Sequence, residues 1–338
     1  MAIWSSVARR LALAIALVSM FAVQRQAHAI TITTVPVVNA GNPNDDSTGY
    51  GGVNYEYEIA ATEVTNDQYV AFLNAKASSS DPLGLYNANM ASDPRGGIIQ
   101  VGSPGSYTYS AKANMGNKPV NYASWYDAIR FANWLNNGQG SASTETGAYT
   151  ILGGTPTPTD GLSITRNSGA TWFLTSENEW YKAAYYEPGA SSNDYWLYPT
   201  RSDSAPTKAT ANATGDINNP GANVANYDFG ADWNSQDGNV TTVGSAGSIS
   251  QSFYGTFDQG GNVWEWNEAL IVTDRGSRGG SFDILGVSSL ASGAQNAFDP
   301  TLEDNFLGFR VATVPEPCTA VLCIAGCVGA WMLRRRFR

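Results

Sequence analysis

The residues of this chain that could do chemistry are almost all carboxylates. The single histidine is His28, and the three cysteines are Cys318, Cys323 and Cys327. Residues 30–313 therefore hold neither histidine nor cysteine, which excludes a Ser-His-Asp triad, a histidine metal site and a disulfide there. Aspartate and glutamate leave open hydrolysis by paired carboxylates and the binding of hard cations such as calcium. No spacing of these acids indicates a hydrolase.

Several sequence blocks occur in an order that is typical of one protein family. They read ATEVTNDQYVAFLNA, KPVNYASWYDAIRFANWL, FLTSENEWYKAAYYEP, GTFDQGGNVWEW, RGGSF and LGFRVA. In these blocks, from about Ile59 to Ala312, the chain resembles the sulfatase-modifying-factor family, which includes the formylglycine-generating enzyme and its bacterial relatives. The resemblance implies an α+β, C-type-lectin-like fold with a few short helices, short antiparallel strands and much irregular loop.

The same resemblance implies two calcium sites. The first surrounds the WEW motif and consists of Asp258, the backbone carbonyls of Gly261 and Val263, and Glu265. The second lies upstream and consists of Asn226, the carbonyl of Tyr227, Asp237 and the carbonyl of Asn239. Calcium prefers carboxylate and carbonyl oxygens on irregular, glycine-permissive turns. The alternatives are that Glu265 pairs with an arginine and that the upstream segment is an ordinary Asx-rich turn.

The catalytic residues of the family are missing from this chain. The oxidase reaction of the family uses two cysteines shortly after the RGGS motif, and the chain has Ile284 and Ser289 at those places. Copper(I) selects soft sulfur ligands, which isoleucine and serine do not supply. The family's iron-dependent branch uses histidine ligands, which residues 30–313 lack. We therefore expect calcium and not copper as the bound metal, and no catalytic residues at this place.

Two capping boxes and one run of apolar residues at helical spacing predict the helices that position these blocks. Thr65 to Gln68 is a capping box followed by apolar residues at helical spacing, and Ser176 to Glu179 is another. A further helix is predicted from Ser124 to the Asn136-Asn137-Gly138 stop.

The remaining sequence predicts strands and loops. Alternation predicts a strand over Tyr55–Thr65, and residues 78–117 and 187–222 are predicted as loops. Residues 138–170 are predicted as an insertion with hairpin content, and short strands are predicted after Asn223. Two arginines, Arg278 and Arg310, are predicted to be buried and paired with acidic residues, while the tryptophans are predicted to form core.

The two ends of the chain predict targeting segments. Residues 1–29 have the layout of a signal peptide: Arg9 and Arg10, an apolar run over 11–23, and the small-residue site Ala27-His28-Ala29. A signal anchor is the alternative, although the apolar run is short for a membrane span. The predicted domain then covers residues 30–313.

Residues 314–338 resemble the PEP-CTERM sorting tail of bacteria that secrete matrix polysaccharide. The motif Val314-Pro315-Glu316-Pro317 precedes an apolar run over 318–333 and three arginines, Arg334 to Arg336. At helical rise this run spans ~24 Å, against a hydrocarbon core of roughly 30 Å, which favours a transient anchor. The resemblance implies cleavage by an exosortase-type protease and release to the cell surface or extracellular matrix.

The charge of the chain limits its partners. The formal net charge is −10, and seven of the nineteen Lys and Arg residues lie in the two terminal segments. So acidic a domain repels nucleic acid and anionic membrane, which leaves the C-terminal tail as the only predicted membrane contact. A solubilising surface is the other explanation of this charge.

We therefore expect a calcium-stabilised binding or scaffolding protein of the bacterial surface, with matrix polysaccharide or another surface protein as its partner. The alternatives are an active enzyme of the formylglycine-generating or non-haem-metal oxidase family, or a carboxylate-based hydrolase.

Overall fold

The computed structural model describes residues 29–190 and 193–314. Apart from Ala29 and Val314, the predicted signal peptide and sorting tail lie outside the described residues. Within the described ranges, no helix is long and apolar enough to cross a membrane.

The longer helices begin where the capping motifs predict them. Helices α1 (Asn66–Lys76), α3 (Trp125–Asn136) and α4 (Glu177–Tyr185) are preceded by Thr65, Ser124 and Ser176 respectively, each in a complete capping box. In each box two backbone amides that would otherwise lack partners are satisfied by side chains. The helix prediction is thus confirmed. The one-turn helix α2 (Asn89–Ser92) lies in a region predicted as loop.

The strands are short and come from distant parts of the chain. In chain order they are β1 (Thr34–Val37), β2 (Tyr57–Ala60), β3 (Ile98–Val101), β4 (Thr108–Ala111), β5 (Trp172–Leu174), β6 (Thr207–Lys208), β7 (Val224–Ala225), β8 (Trp264–Ile271), β9 (Asp274–Arg278), β10 (Asn296–Phe298), β11 (Leu307–Phe309) and β12 (Val311–Thr313). One four-stranded sheet has the order β1-β2-β12-β5 and is antiparallel throughout. The other has the order β10-β9-β8-β11, with only the β8–β11 pair parallel.

The strand predictions differ from the structure in several places. The predicted loops over 78–117 and 187–222 contain β3, β4 and β6, and β3 forms an antiparallel hairpin with β4. Strand β2 ends at Ala60 and does not continue to Thr65, because the carbonyls of Ala60 and Ala61 accept hydrogen bonds from Arg310, and that of Ala61 also from the Phe257 amide. The insertion over 138–170, predicted to have hairpin content, contains a short 3-10 helix over Gly161–Ser163, and its strand pairing is limited to the isolated antiparallel bridge between Tyr149 and Arg166.

The insertion is held mainly by side chains of α3. Arg130 donates to the carbonyls of Thr155 and Pro156, at 2.7 and 3.2 Å. Asn133 donates to the carbonyls of Thr144 and Tyr149. These bonds satisfy backbone groups that a hairpin ladder would otherwise pair.

The main core lies between the helices and the strands that carry the family-like sequence blocks. The Phe131 ring of α3 lies 5.4 Å from Phe72 of α1 and 5.4 Å from Phe309 of β11, centroid to centroid. All three side chains are fully buried. Burial of one such ring contributes about 1.5–3 kcal/mol. This packing fixes β11, and with it the position of Arg310 one residue later.

A half-buried arginine links three parts of the chain. Arg166 donates to both carboxylate oxygens of Glu179, at 3.0 and 2.7 Å, and to both of Glu268, at 2.9 and 2.7 Å. Tyr55 and Tyr149 each donate a hydroxyl hydrogen bond to one of these carboxylates. The insertion, α4 and β8 are therefore joined by one charged network.

Candidate functional site

The glutamate of the WEW motif is paired with the arginine of the GFR motif. Arg310 donates from Nε to Oε2 of Glu265 and from Nη2 to Oε1, both at 2.5 Å, and both side chains are fully buried. The indole of Trp180 donates to the same carboxylate at 2.7 Å. This bidentate geometry neutralises the glutamate. The prediction of a buried, acid-paired Arg310 is confirmed.

Arg278 of the RGGS motif makes a similar pair. Its Nε donates to Oε1 of Glu177 at 2.5 Å, and its Nη1 donates to the carbonyl of Ser292 at 2.7 Å. The Arg278 side chain is 1% exposed. Its prediction as a buried structural arginine is also confirmed. The predicted core role holds for Trp264 and Trp266, which are 5% and 0% exposed.

Two further carboxylates lie near the Glu265–Arg310 pair. Burial raises the pKa of Glu63 well above its usual value, the charge of Asp258 raises it further, and Arg310 opposes the shift. Burial likewise raises the pKa of Asp258 to about 6, although the amide of Gly244 donates to its carboxylate. Three acids thus lie around one arginine here, and one guanidinium does not pair with all of them.

The upstream calcium candidates are linked to the Glu63–Glu265 region by hydrogen bonds of asparagine side chains. Asn226 donates from Nδ2 to the carbonyl of Asn239 at 2.9 Å and to Oδ1 of Asn262 at 3.2 Å. Asn262 in turn donates to Oε1 of Glu63 at 3.0 Å. A Cβ added to Gly261 would lie 2.2 Å from the Asn226 carbonyl oxygen, so only glycine permits this approach. The structure therefore brings both predicted calcium regions together.

Other members of the predicted calcium sets point elsewhere. The Asp237 side chain is exposed, and its carbonyl accepts from Arg95 at 2.8 Å. The Tyr227 carbonyl accepts from the Gly230 amide at 3.1 Å. The Val263 side chain belongs to a buried apolar cluster with Phe282 and Trp233, which leaves its backbone carbonyl as its only possible ligand atom.

The donor chemistry around Asn226 fits calcium better than that around Glu265. Oδ1 of Asn226 and Oε2 of Glu63 are buried acceptors without a hydrogen-bond partner among the described residues. Such oxygens carry a desolvation cost that a hard cation would offset. The Glu265 carboxylate, in contrast, is already neutralised by Arg310. In the described part of the chain, no group of three or more His, Cys, Asp or Glu side chains is arranged to hold a metal, so carbonyl and amide oxygens would have to complete any site.

Ile284 and Ser289, the two positions where the resemblance predicts the family's cysteines to fall, both lie near Gly280. A Cβ added to Gly280 would lie 3.3 Å from the Ser289 carbonyl oxygen and 3.5 Å from Cγ2 of Ile284. Ile284 packs against an apolar cluster that includes Tyr198, Tyr227 and Leu290. Aliphatic and aromatic side chains therefore surround Ile284, and the other position is a serine.

A cavity that the sequence did not predict lies beside the amino end of α3. Its volume is about 410 Å³, and its lining includes Tyr86, Tyr126, Asp127 and Glu303. None of its lining residues comes from the segment 282–296 that follows RGGS. Sequence reasoning identified the start of this helix but had no signal that Glu303, far along the chain, lies beside it.

Comparison with known proteins agrees with the fold. The sulfatase-modifying factor enzyme 1-like domain matches residues 27–314 of the chain. Among solved structures, variable protein 1 of Treponema denticola is similar at 20% identity, with a TM-score of 0.50 over 86% of this chain and 98% of that one. CarF is similar at 21% identity, with a TM-score of 0.51 over 85% of this chain and 99% of that one. At such identities these likenesses show the fold alone. No curated protein matches the chain.

Proposed function

Because the chain belongs to the family of sulfatase-modifying factor enzyme 1-like domains, we propose that it is an exported member that binds or scaffolds and does not catalyse. The observation that carries this proposal is the packing of Ile284 and Ser289 around Gly280, where the family reaction needs two thiols. Residues 29–314 contain no cysteine with which to hold copper(I) and no histidine with which to hold iron.

The proposal predicts that the purified protein forms no formylglycine. The protein would be incubated with copper(I) or iron(II) and a cysteine-containing sulfatase peptide, and the peptide would be analysed by mass spectrometry. We expect the peptide thiol to stay unconverted, at the level of a control that contains metal alone, because no protein thiol can start the oxygen chemistry. Conversion of thiol to aldehyde above that control would establish the alternative, an active oxidase.

A carboxylate-based hydrolase is disfavoured by the one acid pair that lines the 410 Å³ cavity. Asp127 and Glu303 are in hydrogen-bonding contact with each other. Glycosidases keep their two carboxyl groups at least about 5 Å apart, so that a sugar carbon or a water fits between them. The contact leaves no room for either and suits ligand binding better.

We also propose that calcium stabilises this protein through Asn226 and neighbouring oxygens. Support comes from the unpartnered Oδ1 of Asn226 and Oε2 of Glu63, joined through the Asn262 amide. A calcium ion there would supply positive charge to a region that holds three acids and one arginine. When bound, its role would be structural, since it would cross-link the loop at Asn226 to the turn at Gly261.

Calcium is therefore expected to raise the melting temperature, and Asn226→Ala to remove most of that rise. A ligand at a hundred times its dissociation constant stabilises by about 2.7 kcal/mol, which is ~5 °C or more for a domain of this size. Differential scanning calorimetry with calcium and with chelator measures the shift. Glu56→Gln, at an exposed acid away from this region, is the matched control and should respond like wild type. An unchanged melting temperature in chelator would contradict the calcium proposal.

Export and surface localisation complete the proposal. Their support is the layout of residues 1–29 and the Val-Pro-Glu-Pro motif with its apolar run and arginines. An exosortase-type protease would act on the tail, and matrix polysaccharide or another surface protein would be the partner. The acidic charge supports neither nucleic acid nor anionic membrane as a partner.

A further inference from the structure

The cavity beside α3 has the size and lining of a small-molecule site. Its volume of about 410 Å³ falls within the range of ligand pockets. Tyr86 and Tyr126 present aromatic carbon, and Asn87, Thr157, Asp127 and Glu303 present polar groups. Tyr86 is half-buried, and its ring lies 5.3 Å from that of Tyr109, which holds it in place. Aromatic surface beside a few polar groups is the usual composition of a site for a hydroxyl-bearing ligand.

The two carboxyl groups in this cavity have too few positively charged neighbours to neutralise both of them. No lysine or arginine lines the cavity. Nη1 of Arg130 lies 4.0 Å from Oδ1 of Asp127, but the same guanidinium pairs with Glu145 at 2.8 Å. It therefore compensates Asp127 only in part and leaves Glu303 without a cation. Two carboxyl groups in contact do not both ionise unless a cation lies with them. Without a cation, they share one proton.

Neighbouring groups add to this negative charge. Asp81 accepts from the amides of Leu85 and Tyr86 at 2.9 Å and faces the same region. Burial raises the pKa of Asp127 well above its usual value, and the charge of Glu303 adds to the effect. Burial also raises the pKa of Glu303, and Asp81 contributes. Burial and these acids raise the pKa of the Tyr69 hydroxyl of α1 further above its usual value, so it adds no charge near neutral pH. The pKa shifts of Asp127 and Glu303 both have the direction expected for two touching carboxyl groups that share a proton when no other cation lies beside them.

Asp127 has a structural role in the fold, whereas Glu303 has none among the described residues. Asp127 belongs to the capping box of α3, where it accepts from the amide and the hydroxyl of Ser124 at 3.0 and 2.6 Å. Glu303 caps no helix and forms no ion pair among the described residues, where its side chain contacts Asn87 and Asp127. Its carboxylate is therefore available to a ligand.

We propose that this cavity binds a protonated amine that carries hydroxyl groups, such as a sugar residue with a free amine. The ammonium group lies on the cavity side of the touching Asp127 and Glu303 carboxyl groups and donates to both, and the proton that they share is released to solvent. Both carboxylates are then ionised against the ligand's positive charge, so charge and protons balance. The sugar ring packs on Tyr86, and its hydroxyls face Asn87 and Thr157. This assignment rests on the proposed binding function and names the ligand chemistry for it.

Calorimetric titration of the full-length protein with glucosamine tests the assignment. Glucose and N-acetylglucosamine serve as neutral probes of similar shape. Glucosamine is expected to bind about tenfold or more tightly than either, since a hydrogen bond to a charged group is worth more than a neutral one. Near neutral pH its binding heat should also vary with the ionisation enthalpy of the buffer, because a proton is released.

Two variants and a control keep the test decisive. Glu303→Gln should lower glucosamine affinity about tenfold or more and abolish the buffer dependence, while glucose binding is unchanged. Tyr86→Leu should weaken all three sugars alike. Glu56→Gln, an exposed acid outside the cavity, should behave like wild type. Equal affinity for glucose and glucosamine, no measurable glucosamine binding, or an unaffected Glu303→Gln protein would overturn the assignment.

The same variants separate this assignment from the proposed function. Wild-type protein that binds matrix polysaccharide but not glucosamine would overturn the cavity assignment and leave the binding function standing. Protein that binds neither, and that converts the sulfatase peptide, would overturn both.

Discussion

Replacing Arg310 with leucine is expected to lower the free energy of unfolding by about 3–5 kcal/mol. The variant leaves the Glu265 carboxylate fully buried with only the Trp180 indole as a donor. It also leaves the carbonyls of Ala60 and Phe257 without their guanidinium partner. A buried charge without a counter-charge is among the most destabilising changes that one substitution makes. Urea denaturation at pH 7, with the slope checked for two-state behaviour, measures the loss.

Two comparisons identify the cause of that loss. Arg201→Leu breaks the Glu187 ion pair, whose arginine side chain is 45% exposed, and should cost less than about 1 kcal/mol. Adding Glu265→Met to an Arg310→Met protein should recover part of the stability, because the unpaired charge is then gone. If Arg310→Leu costs no more than Arg201→Leu, the pair does not have the energetic role that its burial implies.

Glu179→Gln is expected to cost about 3 kcal/mol at neutral pH, and this cost should shrink in acid. Burial alone would raise the pKa of Glu179, but hydrogen bonds from Arg166, Tyr55 and the Ser176 amide, together with the arginine charge, outweigh it and lower the pKa. A carboxylate with a lowered folded-state pKa stabilises the fold above its unfolded pKa. That stabilisation disappears as the pH falls through the folded value.

The measurement is the difference in unfolding free energy between wild type and Glu179→Gln across pH. The difference should be constant above the pKa of a glutamate in an unfolded chain, about 4.3, and should narrow below it. The expected cost lies at the low end of the range for breaking a buried ion pair, because Arg166 keeps its hydrogen bonds to Glu268 in the variant. A difference that stays the same from neutral pH to about pH 3 would show that ionised Glu179 does not stabilise the fold.

The sequence predicted local features well, because these depend on neighbouring residues. Thr65, Ser124 and Ser176 mark helix starts through bonds that span three residues, and all three starts are confirmed. The β3–β4 hairpin was missed, since its strands bury little beyond Ile98 and Tyr109 and so show no clear alternation.

Long-range partners were less accessible to sequence reasoning. For Glu265, the sequence left open calcium binding or pairing with an arginine. Only the fold shows that its partner is Arg310. The contact of Asp127 with Glu303 depends on how the segment after β10 packs against α3. The orphan oxygen of Asn226 has the same origin, because it depends on which amides reach it across the fold.

The central position of β12 affects how the chain folds during synthesis. This strand is the last one of the described chain, yet it lies between β2 and β5 and pairs with both. Until the ribosome has completed residues 311–313, β2 and β5 each present an unpaired edge. Such edges promote association with other chains, and long-range strand pairing is slow. The body of this protein therefore stays open to such association until nearly all of it has been made.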